Sequence, residues 1–263
     1  MIISHKYKYL FIGLPFSASS AISKELYLEH EGEPYLSKHS LYYEFEKKAT
    51  NQEKKYFVFA VLRNPMDIAV TIYEKMKANA KGNFTNPKLF IENGGHITKQ
   101  QRERFKYIHN HKASFQQYFK KFFIRPYDNL FSLTLSHCDF IIKYENIDKD
   151  YLMALQKVGV EEPRPLPVAN KTIGKKKNLS LYYTDDIKHQ AIAVFGPFLE
   201  KYNYDFPSQW GRIKTPLIHV IHFKALSLLR KINQKYFKKH TEKVGLEGSI
   251  YGDMQRNKLK RPN

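Results

Sequence analysis

The hydrophobic positions of this chain fall into short apolar runs and longer segments with helical spacing. Apolar runs at residues 8–14 and 56–62 have the length and composition of strands buried on both faces. Each is followed by a segment whose apolar residues recur every three or four positions, at residues 21–31 and 66–79. Strands that alternate with helices are typical of βαβ units, in which the strands run parallel. The pattern therefore predicts an α/β domain with a mostly parallel central sheet flanked by helices.

The same two patterns predict the elements that follow. They are strands at residues 130–135 and 139–144, helices at residues 41–48, 100–123, 151–158 and 181–202, and irregular segments at residues 80–99 and 163–170.

The character of the chain changes after residue 206. We place a boundary near residue 212, which predicts a nucleotide-binding domain at residues 1–212 and a basic C-terminal part at residues 213–263. That part begins with a predicted basic amphipathic helix at residues 215–237 and ends in a polar, charged tail. Two interpretations of the helix stay open: it docks against the domain, or its basic face binds a membrane surface or another polyanion.

Charge narrows the class of partner. The chain has 44 lysine and arginine residues against 25 aspartate and glutamate residues, a formal net charge of +19. Such an excess favours phosphates, acidic glycans, nucleic acid or an anionic membrane. No helix-turn-helix, RNA-recognition or zinc-finger signature accompanies the charge, so a nucleic-acid-binding protein is the weaker interpretation and no nucleic acid partner is expected.

The cysteine content and the N-terminal residues bear on the compartment. Cys138 is the single cysteine, which excludes an internal disulfide framework and fits a reducing environment. Residues 6–21 imitate a secretion signal, but their apolar part is short and contains Gly13 and Pro15, so we interpret it as a strand. No run of 18 apolar residues is present. We expect a cytoplasmic protein that contacts membranes, if at all, through its C-terminal helix.

A loop of small residues joins the first predicted strand to the first predicted helix. Residues 15–20 read Pro-Phe-Ser-Ala-Ser-Ser and carry three hydroxyl groups. Backbone N–H groups and hydroxyls at the start of a helix bind anions, so this loop is a candidate phosphate site; an ordinary helix cap is the alternative. The loop lacks the Gly-Lys-Ser/Thr ending of a Walker A motif, which argues against a nucleoside triphosphatase and against a kinase.

A second candidate follows the second predicted strand. Arg63 stands at its carboxyl end, the edge at which open α/β sheets bind ligands. Thr71 lies about two helical turns further along. A guanidinium and a hydroxyl in this arrangement can hold one phosphate from two sides. The alternative is that Arg63 pairs with Asp67 and Thr71 only packs.

These segments together resemble the sulfotransferases that use 3′-phosphoadenosine 5′-phosphosulfate (PAPS). Residues 11–20 are similar to that family's 5′-phosphosulfate loop, and residues 57–65 with Thr71 are similar to its 3′-phosphate motif. The similarity continues in order through residues 141–147, 166–170 and 202–206, so that it covers roughly residues 6–206. It is nearer to the carbohydrate-acting branch of the family.

The resemblance implies a P-loop-NTPase-like three-layer fold, PAPS as co-substrate, no metal, and a hydroxyl acceptor on a carbohydrate or glycolipid. It implies contacts to the 3′-phosphate from Arg63 and Thr71. The pair Lys38-His39 resembles a Lys/His-His pair that follows the first helix in parts of the family, which implies that His39 is the general base; a surface histidine is the alternative. The residues implied for the 5′-phosphosulfate site are Phe16, Ser17, Ala18, Ser19, Ser20 and Ala21.

One departure from the family concerns Phe16. The family usually has lysine or arginine there, and that cation stabilises charge on the bridging oxygen during transfer. Another cation must substitute, with Lys38 the first candidate and Lys24 and Lys143 the others, or the protein binds the nucleotide without catalysis. A further basic stretch, residues 171–177, is expected to cover the nucleotide or meet an anionic acceptor, unless it is a solvated run of charges.

Overall fold

A computed structural model describes residues 1–127, 132–167, 172, 174–176, 178–237 and 249–258. Two compact units share the chain and interleave along it. The sheet unit comprises Met1–Arg63, Asn129–Ala169 and Ser227–Asn263, and the helical unit comprises Asn64–Asp128 and Asn170–Leu226. This division does not test the predicted boundary near residue 212, which stays a prediction.

The sheet unit is built on a five-stranded sheet in the order β3-β1-β2-β4-β5. Its central part is parallel, with β2 beside β4 and β4 beside β5, whereas β1 runs antiparallel to both β2 and β3. The α/β class is confirmed. The sheet is mixed, so the prediction of a mostly parallel sheet is not confirmed. The strands are β1 (Ile2–Ser4), β2 (Tyr9–Ile12), β3 (Glu33–Pro34), β4 (Phe57–Leu62) and β5 (Phe140–Lys143).

The two antiparallel strands are those that the sequence pattern did not reveal. They span three and two residues, too short for an alternation of apolar and polar positions to show. A tight turn at residues 5–8, closed by Lys8 with φ 51°, returns the chain from β1 into β2. An antiparallel neighbour joined by a tight turn needs no crossover helix. The first strand–helix–strand unit of the chain therefore begins with β2 and not with β1.

The predicted strands at residues 8–14, 56–62 and 139–144 correspond to β2, β4 and β5. Leu10, Ile12 and Ala60 are buried, and so are their strand neighbours on the opposite face, as apolar runs in a two-sided sheet require. On one face the strands pack against α1 (Ser19–Glu29), α7 (Ile147–Lys157) and α10 (Ile250–Gln255). The core of this face contains Tyr9, Phe11, Phe59, Val61, Ile142, Ile22, Leu26, Tyr151, Leu155, Tyr251 and Met254.

The helical unit has a core made largely of aromatic rings. Two of its buried tyrosine hydroxyls donate to backbone carbonyls, Tyr73 to Ala113 at 2.8 Å and Tyr183 to Met66 at 3.0 Å. These bonds satisfy the polar ends of rings whose apolar surfaces fill the core. The unit's helices include α3 (Pro65–Lys77), α4 (Lys99–Asn110), α5 (Phe115–Phe122) and α8 (Lys188–Lys201).

Several predicted helices match the structure to within a few residues. Residues 21–31, 41–48, 66–79 and 151–158 correspond to α1, α2 (Tyr42–Lys48), α3 and α7. The helix predicted at residues 181–202 is shorter than expected, because 3₁₀ turns at Leu179–Leu181 and Asp185–Ile187 precede α8.

The prediction of one long helix at residues 100–123 was wrong. The chain leaves the helix at His111, Lys112 takes φ 46°, and α5 begins after Ser114. Ser114 accepts a hydrogen bond from the Gln117 N–H at 3.2 Å, and the Gln117 side chain accepts one from the Ser114 N–H at 2.9 Å. The residues of this capping box can be recognised in the sequence. The helical spacing of apolar residues continues across the break, however, and for that reason the sequence analysis predicted one helix.

The strand predicted at residues 130–135 was also wrong where the structure describes it. Residues 132–135 form a short helix, α6 (Ser132–Leu135), and residues 130 and 131 lie outside the described residues. Leu133, Thr134 and Leu135 are all buried. A short run that is apolar on every side cannot be assigned to strand or helix by periodicity, because both would bury it.

The C-terminal part contains the predicted amphipathic helix and one element that the sequence did not indicate. The helix is α9 (Leu217–Ile232), followed by a π-helical turn at Asn233–Phe237. Within the predicted tail, α10 buries Tyr251 and Met254 in the core of the sheet unit, so that stretch is not a polar tail. Residues 238–248 and 259–263 lie outside the described residues. None of the helices described has the length and hydropathy needed to cross a membrane.

The buried Tyr251 ties the loop after β3 to the rest of the sheet unit. Its hydroxyl oxygen lies 2.6 Å from the carbonyl oxygen of Met1 and 3.1 Å from that of Leu36. The Gln255 side chain also donates to the Leu36 carbonyl, at 3.1 Å. Leu36 has φ 57°, so these bonds hold a residue in the unfavourable left-handed region. The loop that they hold continues directly into Lys38 and His39.

We therefore expect Tyr251→Phe to destabilise the protein. Removing the hydroxyl takes one donor from the buried carbonyl groups around it and the acceptor from the Met1 amino group, which costs about 1–2 kcal/mol and lowers the thermal midpoint by about 2–8 °C for a chain of this size. Tyr236→Phe is the matched control, because Tyr236 is 68% exposed, and its midpoint should stay within about 1–2 °C of the parent. Equal midpoints for Tyr251→Phe and the parent would contradict this role.

Candidate functional site

The loop between β2 and α1 turns sharply at two residues with left-handed backbone. Phe16 has φ 63° and Ala18 has φ 55°, values that residues with a Cβ rarely adopt. The Ala18 carbonyl then accepts hydrogen bonds from the N–H groups of Ala21 at 2.9 Å and Ile22 at 3.1 Å, which starts the helix. The turn thus aims the N-terminus of α1 back toward the end of β2.

The first N–H groups of α1 are available to a ligand. In the part of the chain that the structure describes, the N–H groups of Ser19 and Ser20 have no acceptor, and Ala18 supplies no side-chain cap. Such groups carry the positive end of the helix dipole. The loop predicted to bind a phosphate therefore presents donors where an anion would need them.

The hydroxyl groups of the loop have different surroundings. Ser17 is buried and donates to the Leu14 carbonyl at 2.6 Å, so its hydroxyl stabilises the loop from inside. Ser19 is also buried, at 5% exposure. The Ser20 hydroxyl accepts a hydrogen bond from Lys38, which lies outside the loop. Gly13 packs closely at the loop's start, where a Cβ would lie 3.1 Å from the Lys38 carbonyl oxygen.

Lys38 reaches the loop from the segment after β3. Its ammonium group donates to the Ser20 hydroxyl oxygen at 2.6 Å, which adds a full positive charge to the N-terminus of α1. The other two candidate cations stand elsewhere on the sheet unit: Lys24 is exposed on α1, and Lys143 ends β5 opposite Leu62 of β4. The bond to Ser20 attaches Lys38 directly to the loop.

His39 contacts the other end of the same loop. Its Nδ1 lies 2.6 Å from the Gly13 carbonyl oxygen, and because a carbonyl only accepts, Nδ1 carries the proton and Nε2 keeps its lone pair. Loss of hydration against the loop, with a smaller contribution from the Lys38 charge, lowers the pKa of His39 to about 4, opposed by the Gly13 bond. Solvent still reaches the exposed part of the ring and weakens these effects. Their direction gives a neutral imidazole at physiological pH.

Arg63 holds the middle of the loop. It follows β4, is 8% exposed, and donates from Nη1 to the Phe16 carbonyl at 2.6 Å. Its guanidinium lies 4.1 Å from the centre of the Tyr144 ring, a cation–π contact that fixes the plane of the group. Arg63 therefore stabilises a left-handed Phe16 in addition to any part that it takes in binding.

Thr71 and the third basic stretch belong to the helical unit. Thr71 lies on α3 and is 1% exposed. Since Arg63 and Thr71 lie in different units, their cooperation on one phosphate stays a prediction.

Of residues 171–177, the structure describes 172 and 174–176, and this part is attached to α3. Lys175 pairs with Asp67, and the Lys176 N–H donates to the Tyr182 hydroxyl at 3.0 Å, which donates to Glu74 at 2.9 Å. The described part is therefore not a freely solvated run of charges.

Sequence reasoning brought forward the pair Lys38 and His39 and, separately, Arg63, and the structure attaches all three to one loop. It gave no role to Tyr144, although that residue lies within a segment of the resemblance, and none to Tyr251. Tyr144 directly follows a predicted strand, as Arg63 does, and this shared position could have indicated that the two side chains meet at one edge of the sheet. Tyr251 offered none, since it stands in a polar segment. Among the described residues, no three His, Cys, Asp or Glu side chains gather in a way that could hold a metal ion.

No protein-family model, curated protein or solved structure was found to match this chain. The site is therefore interpreted from its own geometry.

The left-handed backbone at Ala18 makes a sharp prediction about the loop. Ala18→Val places a β-branched side chain at φ 55° and should lower the free energy of unfolding by about 1–2 kcal/mol, or the thermal midpoint by about 2–8 °C. Ala18→Gly, the matched control, removes the Cβ and should leave the midpoint unchanged or higher. If valine were tolerated as well as glycine, the described loop would be wrong.

Proposed function

We propose that the protein is a sulfotransferase that moves a sulfuryl group from PAPS to a hydroxyl group of a carbohydrate or glycolipid. One observation carries the proposal. The adjacent pair Lys38 and His39 and the distant Arg63 come from two separate segments, and each of the three makes a 2.6 Å hydrogen bond to the loop between β2 and α1. These are the segments in which the sequence resembles that family, and their convergence is what a donor site requires.

The parallel strands support the proposal that the fold is P-loop-NTPase-like. A P-loop-NTPase-like domain needs a strand, a loop and a helix beside a parallel neighbour, and β2, the loop and α1 stand beside β4 in this way. The antiparallel strands β1 and β3 then extend the sheet at the β2 side without altering that core. The three-layer arrangement remains part of the proposal.

We assign the 5′-phosphosulfate of the donor to the N-terminus of α1. The N–H groups of Ser19 and Ser20, the Ser20 hydroxyl and the Lys38 ammonium would contact it, all of them donors suited to an anion. Arg63 and Thr71 would bind the 3′-phosphate. A guanidinium has five N–H donors in a planar fork that suits a phosphate.

The transfer step follows from this assignment. The acceptor oxygen attacks sulfur and its proton passes to Nε2 of His39, while the bond from sulfur to the bridging oxygen breaks and charge develops on the 5′-phosphate. Lys38 and the helix N-terminus stabilise that charge, which is the part that Phe16 cannot play. A bound anion beside His39 raises its pKa toward the range in which a general base is effective.

Donor binding is tested by the thermal midpoint with 3′-phosphoadenosine 5′-phosphate. At 100 times its dissociation constant a ligand stabilises by about 2.7 kcal/mol, which corresponds to about 5–10 °C for a chain of this size. Arg63→Ala should lose the shift, whereas Arg125→Ala, a change at an exposed arginine, should keep it. ATP should give a smaller shift. No shift with the parent protein at saturation would refute the donor site.

Catalysis is tested by release of the same nucleotide from PAPS with a panel of glycoside acceptors. Lys38→Met should lower turnover by about 10²–10³-fold, the cost of removing one stabilising donor, while Lys24→Met, at an exposed lysine on α1, should not. His39→Asn keeps a donor for Gly13 but has no base, so turnover should also fall. Parental turnover in Lys38→Met would end the idea that Lys38 replaces the missing cation.

A second candidate function is a catalytically inactive relative that binds the nucleotide or a glycan. Phe16 is the observation that favours it, because an apolar ring stands where the resembling family usually has a cation. The two functions differ in one result: a nucleotide shift that depends on Arg63, without turnover of any acceptor, indicates the inactive relative.

A further inference from the structure

One side of α9 exposes a continuous row of large apolar side chains to solvent. At about 100° per residue, its exposed apolar residues occupy an arc of about 120°, which makes one face of the helix. Their exposed fractions lie between 40% for Ile232 and 71% for Leu217. The members of this face are Leu217, Ile218, Ile221, Leu228, Leu229 and Ile232, and Tyr236 and Phe237 follow in the π-helical turn with 68% and 73% exposed. We call these eight residues the α9 apolar face.

The opposite side of α9 is the side packed on protein. Phe223 is 5% exposed, and Gln234 in the following turn is 1% exposed. The Lys201 ammonium lies 5.9 Å from the centre of the Phe223 ring. The helix is thus held by its inner side, and the α9 apolar face is not a surface that the helix needs for its own docking.

The charged side chains of α9 itself all have one sign. Lys224 and Lys231 are exposed and lie seven residues apart, along one edge of the apolar arc. Lys235 is exposed in the π-helical turn, and residues 206–241 contain eight lysine and arginine residues and no aspartate or glutamate. An exposed apolar face of this size marks an interaction surface, and its surroundings attract anions and repel cations.

We propose that the α9 apolar face docks on the surface of an anionic lipid bilayer, with the helix lying in the plane of the interface. The apolar residues would enter the boundary between headgroups and acyl chains, and Lys224, Lys231 and Lys235 would meet the lipid phosphates. Tyr236 and Phe237 stand at the end of the face, where aromatic rings suit the interface.

Charge complementarity selects this occupant over a second copy of the chain. Pairing two α9 faces would bring two sets of lysine and arginine residues together without an acidic residue on either helix, an arrangement that self-repulsion opposes. An anionic bilayer satisfies the apolar face and the cations at once.

The test is flotation of the full chain with vesicles of phosphatidylserine and phosphatidylcholine, with vesicles of phosphatidylcholine alone for comparison. We expect binding to the anionic vesicles, weakened by salt, and at least about tenfold weaker binding to the neutral ones. Leu228→Glu with Leu229→Glu should lower the partition coefficient more than about tenfold, because two apolar side chains that would enter the bilayer are lost. Ile124→Glu is the control, because Ile124 is 73% exposed but lies outside α9.

The contribution of charge is measured separately. Lys224→Gln with Lys231→Gln should weaken binding by about fivefold for each charge removed, while Lys54→Gln with Lys55→Gln, an exposed pair elsewhere, should not. Absence of binding to anionic vesicles overturns the proposal, and so does an equal loss in the control pair. A dimer in solution that the α9 variants dissociate would assign the face to a second copy instead. No nucleotide is present, so failure here is distinct from failure of the proposed function.

Discussion

The parallel pairing of β2 with β4 is the constraint on which the candidate site depends. It aligns Ile12 with Ala60, so that the loop after β2 and Arg63 after β4 leave the sheet at the same edge. Both strands are buried on both faces, which places them in the centre of the sheet. The bond from Arg63 to Phe16 follows from this alignment. A strand order that separated β2 from β4 would leave an arginine and a loop with nothing to join them.

The loop itself is held in an unfavourable shape by its neighbours. Two left-handed residues, Phe16 and Ala18, each cost of order 1–2 kcal/mol of backbone free energy. The Ser17 bond inside the loop and the Arg63 bond outside it offset part of that cost. The gain is a helix N-terminus whose first N–H groups have no acceptor among the residues that the structure describes, and these are the donors that the proposed chemistry uses. Strain and function are linked here through the same few bonds.

The C-terminal part has two separate relationships to the rest of the molecule. Tyr251 of α10 is buried and holds the loop that continues into Lys38 and His39, so a segment far away in sequence positions the proposed cation and base. The α9 apolar face, by contrast, is exposed and surrounded by positive charge. If it docks on an anionic surface as we propose, the protein would work beside lipid, which fits a glycolipid acceptor better than a free sugar.

The sequence by itself determined the α/β class, the three parallel strands and most helices, because buried strands and amphipathic helices have characteristic spacings of apolar residues. It also singled out the pair Lys38 and His39 and, apart from them, Arg63. Only the tertiary structure decided that they meet on one loop, that β1 and β3 make the sheet mixed, and that α10 belongs to the core. Strands of two or three residues leave no period to detect. A hydrogen bond between distant segments has no local sequence pattern either, because it depends on the order of the strands in the sheet.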